Sequence, residues 1–213
     1  LRSKKQVEVP PMAEENTLRN DYFEVKVDPV SGALRSLHDY QTRDNRLGLQ
    51  LAYRRTPVHH PEEAWDEDPD QLYTEMAADE VEIRSAGPLF GELAVRGRLL
   101  QPDGTCVSRY TQVLRAQRGS RILEIDLPLD PEELPSGNPW TTYYAARFAW
   151  SDATADVYTG IGTTTIKNES PQLEAPYFVD VRSEKINTTI FTGGLPYHRR
   201  FGLRMLDTLL IVK

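Results

Sequence analysis

The chain has a single cysteine, Cys106, among 213 residues. One thiol cannot close a disulfide within the chain, so the fold does not depend on oxidation. No apolar run approaches the ~20 residues that cross a bilayer as a helix, and Leu1 to Pro11 contains no apolar core of the kind a secretory leader carries. Basic charge is in deficit: 25 Lys and Arg stand against 32 Asp and Glu, a formal net charge of −7. That balance argues against nucleic acid, whose phosphates need a basic face, and against an anionic membrane surface. Internal repeats and low-complexity tracts are missing, which excludes solenoids and long linkers. Also missing is any window of 11 or more residues with a 3.6-residue apolar period. The one helical piece to expect is short, at Gln71 to Ala78.

What is present is β-strand alternation. Phe23, Val25 and Val27 alternate with Glu24, Lys26 and Asp28, giving one apolar and one wet face. Asp28-Pro-Val-Ser-Gly32 supplies turn chemistry, with Pro fixing φ and Gly32 free to take a positive φ. Leu34 and Leu37 then resume the apolar pattern, so residues 20 to 39 read as a hairpin. Leu47 to Tyr53 and Glu80 to Ser85 follow as strands. Glu92 to Leu100, Thr105 to Ala116 and Arg121 to Leu129 form a meander joined by Gln101-Pro-Asp-Gly104 and Gln117-Arg-Gly-Ser120. Further strands are expected at Thr141 to Trp150, Asp156 to Tyr158, Thr163 to Lys167, Tyr177 to Val181, Ile186 to Phe191 and Arg204 to Val212, with a short one at Gln6 to Val9. Ten or more strands do not stay one flat open sheet. The expectation is therefore all-β: a large antiparallel sandwich over 18–213, preceded by a polar lead-in over 1–17.

Three segments carry a resemblance. The first is the hairpin from Leu18 to Asp39 with its continuation Asp44-Asn-Arg-Leu-Gly-Leu-Gln-Leu51. The second is Pro139-Trp-Thr-Thr-Tyr-Tyr-Ala-Ala-Arg-Phe-Ala-Trp150. The third is Phe191-Thr-Gly-Gly-Leu-Pro-Tyr-His-Arg-Arg-Phe-Gly-Leu-Arg-Met-Leu-Asp-Thr-Leu-Leu-Ile-Val212. Their order and spacing resemble the C-terminal β-sandwich region of family 38 glycoside hydrolases, the α-mannosidases. The resemblance implies a twisted supersandwich of the galactose mutarotase type, packed beside a (β/α) barrel of the same polypeptide. It also implies that nucleophile, acid/base carboxylate and zinc belong to that barrel, since no stretch here matches the barrel motifs. No cofactor or metal is expected in this chain, and no catalytic residue is carried over. The missing initiator Met and a terminus inside a strand pattern fit a piece of a larger enzyme.

The candidate contact residues each fit a plainer role as well. His198, Arg199 and Arg200 follow Gly193, Gly194 and Pro196 and read as a basic loop. Such a loop reaches a sugar hydroxyl or a neighbouring domain, or else pairs with the chain's own acids. Trp140 and Tyr143 belong to an aromatic strand in which Tyr144, Phe148 and Trp150 share one face and Tyr143 and Arg147 the other. Such aromatics stack on sugars or fill cores and domain interfaces. The run from His59 to Asp70 is dense in imidazole and carboxylate, which suits a zinc-type site. The reading preferred is a solvated acidic loop, which charge runs usually are, and its carboxylates lack the rhythm and glycine pivot of a calcium loop. Asn168-Glu-Ser170 and Asn187-Thr-Thr189 are formal glycosylation sequons. The function expected is a non-catalytic domain that braces the barrel and lines a mannose-glycan cleft; the alternatives are a stand-alone carbohydrate-binding module and, third, an aldose epimerase-like enzyme. The third lacks a recognisable His and carboxylate signature.

Overall fold

In a computed structural model, described for residues 10–55, 73–162, 164–184 and 186–212, eighteen strands form three antiparallel sheets. The strands run β1 (Ala13–Glu14), β2 (Thr17–Arg19), β3 (Phe23–Val27), β4 (Leu34–Asp39), β5 (Gly48–Arg54), β6 (Glu75–Ala86), β7 (Phe90–Leu100), β8 (Cys106–Gln117) and β9 (Leu123–Asp126). They continue as β10 (Leu129–Pro131), β11 (Tyr143–Ala149), β12 (Asp156–Ile161), β13 (Thr164–Lys167), β14 (Gln172–Glu174), β15 (Phe178–Arg182), β16 (Asn187–Phe191), β17 (Tyr197–Phe201) and β18 (Met205–Ile211). The large sheet has the order β1-β2-β3-β4-β5-β11-β18-β17-β14. A second is β10-β8-β7-β6, with β9 also on β8, and a third is β13-β12-β15-β16. The all-β sandwich expected from the alternation is the observed architecture.

The core lies between the large sheet and the other two. Val25, Leu34, Leu49, Leu51, Tyr53, Tyr144 and Leu206 from the large sheet meet Leu93, Val95, Leu99 and Leu114 from the second and Val157 and Val179 from the third. Each such side chain, removed from water, contributes roughly 1.5–3 kcal/mol. Tyr53 and Tyr144 stack at 4.5 Å between centroids. The Tyr144 hydroxyl donates to the carbonyls of Val107 and Glu133, at 2.9 and 2.6 Å. Burial, with Glu133 beside it, pushes the Tyr53 phenol up to about 12. The outward face of the second sheet is polar. There Arg96 pairs with Glu80, Arg98 with Asp79, and Arg115 with Glu92.

Two of the sequence motifs are explained by what they hold. Asn20 accepts from the backbone N–H groups of Tyr22 and Phe23 and donates to the carbonyls of Gln117 and Ser120. It therefore ties the opening hairpin to the β8–β9 turn of the other sheet. Gly32 has φ +79°, and its turn is clamped from across the sandwich. Tyr110 donates to Ser31 O at 2.9 Å and Gln112 to Gly32 O at 3.1 Å.

Several local expectations differ from the structure. The helix expected over Gln71–Ala78 is not formed in its described part: Tyr73 bridges to Arg54, and Glu75 opens β6. Met76 and Ala78 suit a helix locally, but pairing with β7 lets them pack on the core, and tertiary context overrides propensity. The strand expected from Arg121 to Leu129 divides into β9 and β10 at Pro128, which has no N–H to give the ladder. His198 to Arg200 lie in β17 rather than on a loop. Before residue 18, Met12 is fully buried and β1 pairs with β2, so the large sheet already includes 13–17. The strand expected at Gln6–Val9 lies outside the described residues.

A Cβ on Gly32 would stand 2.3 Å from the Tyr110 hydroxyl, on a backbone that L-residues avoid. Gly32→Ala is expected to cost about 2–4 kcal/mol, read as a shift in the urea midpoint at constant slope. A midpoint equal to that of the parent chain would show that the turn is not clamped as described.

Candidate functional site

Strand β11 lies between β5 and β18 and is buried on both faces. Tyr144, Ala146, Phe148 and Trp150 face the sandwich core, while Tyr143 and Ala145 pack on the opposite, outer face with Leu209. This is the division of faces expected from the sequence. On the outer face the register sets Arg147 opposite Asp207, and Asp207 opposite Arg199, in one row across β11, β18 and β17.

Asp207 is fully buried. It accepts from the hydroxyls of Tyr73 and Tyr143, each at 2.9 Å, and from Arg147 Nε at 3.0 Å. Burial pushes its carboxyl up, and Arg147 and the two phenols oppose that rise by stabilising the carboxylate. Burial and the nearby Asp207 also raise both phenols, so they remain donors at neutral pH. The Arg147 guanidinium lies 3.6 Å from the centre of the Tyr73 ring. Arg54 is fully buried and donates to the carbonyl of Thr141 at 2.5 Å. Arg199 donates to the carbonyl of Trp140 at 2.6 Å and lies 4.7 Å from the Phe201 ring. Trp140 and Tyr197 meet edge to face at 5.5 Å, and Tyr197 stays exposed. The result is a patch of aromatic rings and guanidinium groups around one buried carboxylate.

The five sequence-level candidates fall on two faces. Tyr143, Trp140 and Arg199 join the outer patch. His198 and Arg200 sit on the other side of β17. His198 is fully buried; its Nδ1 meets Thr208 Oγ1 at 3.0 Å and its Nε2 meets the Ala175 carbonyl at 3.1 Å. In this chain neither His198 nor Tyr143 presents side-chain surface to a ligand, whereas Trp140, Arg199 and Arg200 are half-buried. The run from His59 to Asp70 lies outside the described residues. Among the described residues no group of three or more His, Cys, Asp and Glu side chains is placed to hold a metal. Sequence reading missed Asp207, Arg54 and Tyr73. The available signal was a lone acid and a lone base inside apolar strands, Leu206-Asp-Thr-Leu-Leu210 and Leu51-Ala-Tyr-Arg54.

No family model matches the chain, and no curated protein matches it significantly in sequence. Solved structures do match. One is a protein in the glycosyl hydrolase family 38 from Enterococcus faecalis, with a TM-score of 0.73 and 13% identity over 99% of this chain. Another is an alpha-mannosidase from Enterococcus faecalis V583, with a TM-score of 0.72 and 13% identity over 98% of this chain. At that identity the likeness shows a shared fold. It comes from the family whose sequence segments the chain resembles. The chain spans 28% and 27% of the length of those two proteins.

Two outcomes test the patch. Asp207→Ala leaves the partly buried Arg147 without its counter-ion and two buried phenols without their acceptor, and is expected to cost about 3–5 kcal/mol in urea unfolding. Tyr73→Phe removes one donor and is expected to cost about 1 kcal/mol. Equal losses in the two variants would contradict the central role given to the carboxylate. His198 gives a pH dependence. Burial holds its imidazole below the ordinary histidine range, so the unfolded chain takes up a proton more readily than the folded one. Its contribution is complete above pH ~6.5 and is lost as pH falls below that value. His198→Gln is expected to flatten this part of the stability profile, measured by thermal melts between about pH 5 and 8.

Proposed function

We propose that the chain is a non-catalytic β-sandwich domain of an α-mannosidase-type glycoside hydrolase, in which it braces a catalytic (β/α) barrel. The observation that carries this reading is the coverage: the likeness takes in 99% of this chain but 28% of a family 38 chain. In this reading nucleophile and zinc belong to the barrel, and no residue of this chain is assigned to either. The partners are the barrel of the same polypeptide and, along the cleft, mannose-containing glycans.

The physical contrast between the two sheets suggests which face docks. The outer face of the second sheet is a lattice of exposed ion pairs that solvent screens, so covering them would gain little. The outer face of the large sheet instead presents Trp140, Tyr197, Phe201 and Arg199, the residue types enriched at interface centres. Arg199 is tied to the Trp140 carbonyl and lies against Phe201, and Trp140 meets Tyr197 edge to face, contacts that reduce the side-chain freedom to be lost on association.

The test is hydrolysis of a chromogenic α-mannoside in zinc-containing buffer, by the chain alone and by the polypeptide that joins it to a barrel. Turnover is expected only from the joined polypeptide, and turnover by the chain alone would overturn the reading. Replacing Trp140 and Tyr197 together by Ala is expected to weaken binding of a separate barrel roughly 30-fold.

A further inference from the structure

The sandwich core is open along one groove. On the side facing the large sheet, Leu93, Val95, Leu99 and Leu114 of β7 and β8 are closed to water. Leu123 and Ile125 of the neighbouring β9, and Leu127 just after it, face the same way but are only half-buried. They form one wall of a groove of about 700 Å³. Thr188 and Ile190 of β16 stand in the other wall, and Leu37, Leu49, Phe148, Thr208 and Leu210 in the floor. We propose that this groove takes an extended strand of about six residues, apolar at alternate positions, from the larger polypeptide of which the chain is a domain.

The walls define the occupant. Both line the groove with consecutive residues, Ile122 to Leu127 and Asn187 to Thr192, so strand edges border it and not one face of side chains alone. Among the described residues β9 pairs only with β8, and β16 only with β15, which leaves one edge of each free. In an antiparallel ladder every second residue turns both its N–H and its C=O away from the partner strand. Such a row is a template for one more strand. The floor runs from Phe23 of β3 across β4, β5 and β11 to β18, five strands adjacent in the sheet. At ~4.8 Å per strand that is a length of ~19 Å, which about six extended residues span. Apolar side chains on alternate residues of the occupant would close the floor.

Other occupants fit less well. A helix bonds its own backbone and would leave both walls unpaired. An edge strand of a second folded copy brings its own sheet with it, and cannot enter a slot that has a strand on either side. A segment running between domains has neither constraint. In the solved structures that share this fold, roughly three quarters of the chain lies outside the shared part and is available to supply one. Seated there, the strand would join the five-stranded and four-stranded sheets into one layer opposite the nine-stranded sheet. This proposal rests on the reading of the chain as one domain of a larger enzyme, and it uses a different face from the Trp140 and Tyr197 patch.

The test is residue-resolved amide exchange over 123–126 and 187–191, in the 213-residue chain and in the polypeptide that joins it to a barrel. In the chain alone, every second amide of both stretches is expected to exchange freely. In the joined polypeptide those same amides are expected to slow at least ~100-fold. Slowing on neither wall, or on one wall only, overturns the proposal. If that joined polypeptide still hydrolyses the α-mannoside, the domain reading survives the failure. Slowing on both walls without turnover would keep the strand and remove the α-mannosidase reading. Alternate amides already slow in the chain alone would give the groove to a second copy or to the chain itself, as sedimentation decides, and would equally overturn the proposal.

Discussion

Everything in this fold depends on β11 being buried on both faces. It joins β1 to β5 on one side of the large sheet to β18, β17 and β14 on the other, since β5 pairs with one edge and β18 with the other. A strand so placed has no wet face to indicate its register, and a slip of one residue would exchange its faces. Phe148 would leave the sandwich core, and Arg147 would enter it. The pairing of Arg147 with Asp207 rules out that slip, because a guanidinium in the core would have no counter-ion and a buried carboxylate would have lost one. The ion pair acts less as glue than as a marker of the correct alignment.

The parts of the fold visible in the sequence are those governed by local pattern. The alternation in β3, β7 and β8 and the turns at Gly32, Gly104 and Gly119 are local, and the positive φ at all three glycines matches the turn chemistry. What escaped is what long-range contact decides. Strand β17 reads as a basic loop because Tyr-His-Arg-Arg-Phe carries no apolar alternation. Its histidine is accommodated instead by hydrogen bonds to Thr208 and to the Ala175 carbonyl. Strand β6 begins with residues that favour a helix and becomes a strand by pairing with β7. The candidate site was half visible for the same reason. Tyr143 and Arg147 stood out as neighbours on one strand face, but Tyr73 lies 134 residues before Asp207 and nothing local links them.

The large sheet and the second sheet have chemically different outer faces. Arginines occur on both, yet they differ in what surrounds them. On the second sheet each guanidinium faces a carboxylate and water, an arrangement that is stable exposed and gains little from being covered. On the large sheet Arg147 and Arg199 lie against aromatic rings. Arg199 spends a hydrogen bond on a backbone carbonyl. Such groups are weakly hydrated and lose little when another surface closes over them.

The order of strands also sets a schedule. Arg147 and Asp207 are 60 residues apart, and β18, the last described strand, separates β11 from β17 and β14. The middle of the large sheet thus stays an open edge until β18 has left the ribosome. Pairings this distant make folding slow and leave β11 exposed to mispairing in the interval.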